Sequence, residues 1–150
     1  MKKFAAAALL ASVALAASAV EVGVTAVDAT ATNPDRYGYG VTVGENFGAY
    51  NLTAGASRFY READAQNRYT LVASRSVVTL GPVAVSGRVG YAYLDNKTAQ
   101  DGSALTLGVG AQVPVTKAVA ATLSVDHQYG QDRVNQFNGN IVTAGLKYSF

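Results

Sequence analysis

The sequence has 150 residues, with 12 basic and 10 acidic side chains and no cysteine. This is one domain's worth of chain, and the lack of cysteine excludes a disulfide scaffold and a thiolate metal site. The formal charge of +2 is carried by Lys2 and Lys3, and the remaining charges balance, so the basic pI points to no nucleic-acid partner.

Residues 1–19 read as a cleavable signal peptide. Lys2 and Lys3 form the positive start, an Ala/Leu/Val run follows from Phe4, and Ala17-Ser18-Ala19 supplies a small-x-small cleavage site. A membrane anchor or buried helix is the alternative, but the apolar run is short for a span and a strand-like pattern follows it at once. No cysteine is present to carry a lipoprotein anchor. The mature chain is then 20–150, a single β-barrel domain.

From Val20 onward the chain breaks into segments of period-2 alternation separated by turn-rich pieces. Strands are expected at 20–28, 36–44, 49–60, 68–79, 83–94, 104–115, 118–129 and 140–150. Glu45-Asn46-Phe47-Gly48, Leu80-Gly81-Pro82 and Val115-Thr116-Lys117 read as tight turns, whereas 29–35, 61–67, 95–103 and 130–139 read as longer polar loops. Short turns at one end and longer loops at the other are the layout of an up-and-down barrel in the outer membrane, with the short turns periplasmic.

The two faces of each strand differ in kind. Tyr37, Tyr39, Val41 and Val43 alternate with Gly38, Gly40, Thr42 and Gly44; Leu105, Leu107 and Val109 alternate with Thr106, Gly108 and Gly110. A soluble barrel would place the large apolar side chains inside and charges outside. Rows of Gly, Ala and Thr fit a crowded interior better, with the Val/Leu/Tyr face toward lipid. In lipid all backbone groups must pair, so the strands must close. The fold expected is all-β: an eight-stranded antiparallel up-and-down transmembrane β-barrel. A soluble periplasmic barrel or fibre subunit is the outside alternative.

Aromatic residues fall at both strand ends, as expected of interfacial girdles. Tyr37, Tyr39, Phe59, Tyr60, Tyr69, Tyr91, Tyr93 and Tyr129 lie beside the long loops; Phe47, Tyr50, Tyr148 and Phe150 lie beside the short turns or the C-terminus. By parity Glu21, Arg36, Arg88, Asp126 and Lys147 point inward, forming a lumen charge network, structural or gating. Glu21 and Lys147 are expected to meet where the first and last strands close, and Arg88 to find Asp126 across the lumen. Arg75 lands on the lipid-facing side by simple alternation. Either a β-bulge turns it inward, or it lies near enough to a turn to snorkel.

The final strand, with Val142, Ala144, Leu146, Tyr148 and Phe150 on one face, resembles the C-terminal signature of bacterial outer-membrane barrels. Combined with the signal peptide and strand number, the mature chain resembles the small eight-stranded outer-membrane β-barrel family typified by OmpX and the OmpA transmembrane domain. The resemblance implies an outer-membrane location and a monomer surrounded by lipid and lipopolysaccharide. It also implies that the barrel-assembly machinery reads Leu146, Tyr148 and Phe150 as an assembly signal. The chain departs from that class in having no peptidoglycan-binding domain after the barrel and only short outer loops.

Three functions follow. The first is a non-enzymatic barrel for envelope integrity or surface contact. The second is a narrow pore for ions or very small solutes, whose conductance Arg88→Ala would change. The third is a lipid A-modifying enzyme, whose product His127→Ala would abolish. The third has the weakest basis: small barrel deacylases use a His with a Ser two residues on, and Tyr129 stands there instead, leaving Ser124 and Asp132 as the only nearby candidates. No catalytic residue, cofactor or metal is expected.

Overall fold

Alternation is realised as eight antiparallel strands: β1 (Val20–Ala31), β2 (Arg36–Phe47), β3 (Tyr50–Arg61), β4 (Asp64–Leu80), β5 (Val83–Asn96), β6 (Gly102–Pro114), β7 (Val119–Gln131) and β8 (Gly139–Ser149). The computed structural model describes residues 20–31, 36–61, 64–96, 101–131 and 138–150; the expected signal peptide lies outside them. Each strand pairs with its sequence neighbours, and β1 pairs with β8 from Glu21↔Ser149 to Ala31↔Gly139, closing the barrel. Closure leaves no open sheet edge, and the Phe150 amide extends it by donating to the Val20 carbonyl at 3.1 Å.

Local chemistry sets the short turns. Gly48 and Gly81 have φ of 62° and 61°, the left-handed backbone that a two-residue hairpin needs at its first central position. After Gly81, Pro82 fixes a negative φ, which selects the type II′ turn over type I′. Between β6 and β7, the Thr116 hydroxyl accepts from the amides of Ala118 at 3.2 Å and Val119 at 3.0 Å. At the opposite end Arg61 and residues 64–67, expected as part of a loop, are paired instead: Arg61 lies opposite Asp64 and Phe59 opposite Gln66. Gln66 faces the lumen and is buried, so its polarity reflects the interior and not a loop.

The outward face is apolar around the barrel. Val24 is 60% exposed, Leu107 57%, Val109 58% and Leu146 51%. Among the described residues, outward-facing charged positions in the strands lie near the rims: Asp28, Arg58 and Asp95 at the long-loop end, Arg75 and a buried Glu45 at the short-turn end. Between those two levels the described outward positions carry no charged side chain. A bulge between Ser76 and Val78 adds one residue to β4, so both valines at 77 and 78 are exposed. It lies beyond Arg75 and does not turn that residue inward. Arg75 faces out opposite Tyr50, at the first residue after a short turn, with its guanidinium 5.4 Å from the Tyr50 ring centroid.

The interior is polar toward the short turns and mixed toward the long loops, where buried Gln66, Arg68 and Gln128 stand among apolar side chains. Val27, Ala29, Phe59 and Ile141 form one buried cluster near the long loops, and Ala92, Leu94 and Ala104 form a second. Phe59, expected in the outer girdle, is instead 2% exposed and plugs the barrel. Its parity is opposite to that of Tyr60, which places it inside. The outer ring otherwise comprises Tyr37, Tyr39, Tyr60, Tyr69, Tyr91, Tyr93 and Tyr129 on outward positions. At the short-turn rim Phe47, Tyr50, Tyr148 and Phe150 cover only the β8–β1–β2–β3 side; Val77, Val78, Leu80 and Val115 take their place elsewhere. Leu146, Tyr148 and Phe150 all point outward, with the last two rings 4.9 Å apart.

Candidate functional site: the charged lumen

Two polar layers occupy the lumen. Nearest the short turns, Lys147 Nζ meets Glu21 Oε2 at 2.5 Å across the β1–β8 seam. The same carboxylate accepts from Asn46 Nδ2 at 3.1 Å and Asn51 Nδ2 at 2.8 Å, residues that face each other across the β2–β3 hairpin. Thr53 Oγ1 in turn donates to Asn51 Oδ1 at 2.6 Å. Glu21 is therefore surrounded by one cation and two amides, which satisfies a carboxylate held away from bulk water.

The second layer lies mid-barrel. Arg88 on β5 and Asp126 on β7 both flank Gly108 on β6, so they join over this glycine on one wall and not across the lumen. Arg88 Nε donates to Asp126 Oδ1 at 2.9 Å, and Ser124 Oγ donates to Oδ2 at 3.3 Å. Gly108 is required for the bridge: a Cβ there would fall on the Asp126 carboxylate and the Val125 carbonyl. Gly110 gives way similarly, since a Cβ there would lie 3.0 Å from Arg88 Cδ.

Arg68 is the charged lumen residue that the sequence reading missed. It is 6% exposed, beside Ser57 and Leu94 in register, and its Nε has no hydrogen-bond partner among the described residues. Its signal was present in the outward parity of Tyr69, but its place next to an expected loop hid it. Arg36 begins β2, opposite Ala29; its side chain is outside the described residues.

Between the two layers lies a polar cavity of about 350 Å³ that includes Gly48, Ala49 and Asn51 at the short-turn end and reaches Arg88 and Ser124. A smaller space of about 50 Å³ adjoins Arg68, Arg88 and Asp126 and shares Thr25, Thr42, Thr53 and Thr143 with the larger one. Toward the long loops an apolar plug of Val27, Ala29, Phe59 and Ile141 occupies the interior beside buried Gln66 and Gln128.

His127 faces outward, with Nδ1 2.9 Å from Asn140 Oδ1 and its ring against Tyr129 at 4.5 Å. Ser124 faces the lumen and is occupied by Asp126. The two therefore sit on opposite sides of the sheet and form no nucleophile–base pair; Asp132 lies outside the described residues. At the outer rim Tyr39 and Tyr60 share a hydrogen bond between hydroxyls at 2.7 Å, and Arg58 lies 5.6 Å from the Tyr60 ring.

No family model matches the chain, and no match is found among curated proteins. Solved structures do resemble it. The N-terminal β-barrel domain of Pseudomonas aeruginosa OprF has a TM-score of 0.70 at 20% identity, over 89% of this chain and 98% of that one. Neisserial surface protein A has a TM-score of 0.58 at 17% identity, over 88% and 96%. Ail, the attachment invasion locus protein of Yersinia pestis, has a TM-score of 0.55 at 12% identity, over 88% and 97%. At these identities the likeness is one of fold. The chain has the fold of the small eight-stranded outer-membrane β-barrels.

Proposed function

We propose that this protein is an integral outer-membrane barrel, non-enzymatic and closed to solutes, which serves envelope integrity or contact at the cell surface. One observation carries the reading: an apolar outward belt without charges, bounded on both sides by charged and aromatic rims. Soluble monomers rarely expose contiguous apolar surface of this extent, whereas a membrane barrel requires it. Export through cleavage after Ala19, insertion by the barrel-assembly machinery and a lipopolysaccharide-facing outer rim belong to the same proposal, as does a monomeric state. The apolar plug supports a closed barrel, because Phe59, Val27 and Ile141 are buried together within the lumen at the long-loop end. Purified protein in planar bilayers is expected to give no stepwise conductance; regular steps in chloride or potassium solutions would contradict closure.

The polar cavity open at the short-turn end favours a second reading, a narrow pore. That reading needs the plug to move. It predicts that Phe59→Ala raises conductance well above the wild-type level and that Arg88→Ala changes ion preference. Lipid A modification gains no support from the separation of His127 and Ser124.

A further inference from the structure

Among the described lumen side chains Arg68, Arg88 and Lys147 face only two carboxylates, Glu21 and Asp126. The pairing is unequal. Glu21 is occupied by Lys147 and two asparagine amides, and Asp126 has one oxygen on Arg88 and the other on Ser124. Arg68 is left with an unpartnered Nε although it is 6% exposed. A guanidinium stays charged at any ordinary pH and carries five donors, so in a low-dielectric interior it draws a counter-charge.

The space beside Arg68 suits a small ion. It is about 50 Å³, bordered by both arginines, by the Asp126 carboxylate that Arg88 engages, and by threonines including Thr25, Thr42 and Thr70 among valines, and shares walls with the cavity that opens among the short turns. A single water-sized particle needs roughly 10–15 Å³ of such space, so the chamber has room for a small ion. We propose that the Arg68–Arg88 chamber is a binding site for a small inorganic monoanion of the halide class, entering from the short-turn end and held by the Arg68 guanidinium and the threonine hydroxyls. The site completes the charge balance of the lumen without requiring passage through the plug, so it is independent of whether the barrel conducts.

Bromide is the probe. In the refolded barrel in a zwitterionic detergent, at constant ionic strength, the ⁸¹Br resonance is expected to broaden beyond the detergent blank and to narrow again when chloride competes. Arg68→Met is expected to lose this broadening while keeping a heat-shifted gel band, since it removes an uncompensated charge. Asp126→Asn removes the competing carboxylate and is expected to lower the half-saturating bromide concentration by about tenfold, the scale of one nearby charge in a partly screened site. A third variant, Lys117→Gln on an exposed turn, is expected to behave as wild type. Absence of excess broadening in the wild type would overturn the proposal. So would equal broadening in Arg68→Met, which would place the ion on exposed arginines such as Arg58 and Arg75, or unchanged bromide affinity in a folded Asp126→Asn.

Discussion

Asp126 shows how a barrel interior charges one side chain with several tasks. It accepts from Arg88 and Ser124 and borders the same small chamber as Arg68. Replacing one member of a buried pair costs more than replacing both, because the survivor keeps its desolvation cost. Asp126→Leu is expected to lower stability by about 3–5 kcal/mol in urea unfolding from lipid vesicles. The double variant with Arg88→Met is expected to recover part of that loss, and additive effects would mean that the bridge is not a coupled unit. Phe59 acts by volume and not by charge. Its truncation to Ala is expected to cost about 3–5 kcal/mol in the same assay, whereas Tyr37→Ala on the exposed rim should cost far less.

Strands translate residue type into orientation through parity, and this is where the sequence was most readable. Eight alternating segments, the outward Val/Leu/Tyr rows and the inward glycines could be found because period 2 persists wherever one face differs from the other. Parity also held the positions of Arg68 and Phe59, but both lie toward the long-loop end, where polar composition mimics a loop and an aromatic mimics a girdle. Arg75 could not be placed from sequence because a bulge and a snorkelling cation leave the same local pattern. Pairing opposite Tyr50 decides for the rim, and the bulge at Ser76–Val78 serves instead to keep two consecutive valines outside. The joining of Arg88 and Asp126 over Gly108 depends on neighbouring-strand register, which periodicity within one strand does not contain. A charge placed in the outward belt is the element-scale test. Val109→Arg is expected to cost roughly 2–4 kcal/mol if the belt meets hydrocarbon, and much less nearer a rim. Comparison of Val109→Arg with Phe47→Arg by urea unfolding in vesicles reads that depth dependence; equal, small costs at both would argue against lipid around the belt.

At the scale of the whole molecule, closure between β1 and β8 makes the barrel a single cooperative object with no edge to pair with another chain. Its lumen is graded along the axis, from the Glu21–Lys147 layer through the Arg88–Asp126 layer to the apolar plug. The outside is graded in the complementary way, with rims that carry charge and rings around a belt that carries neither charge nor backbone edges. The central claim is that this belt faces a bilayer. Its most direct test is gel migration, with and without boiling, of the mature protein recovered from isolated outer membranes. A compact band that shifts on boiling is the result predicted for a closed membrane barrel; recovery only from the soluble periplasm, without a shift, would contradict it.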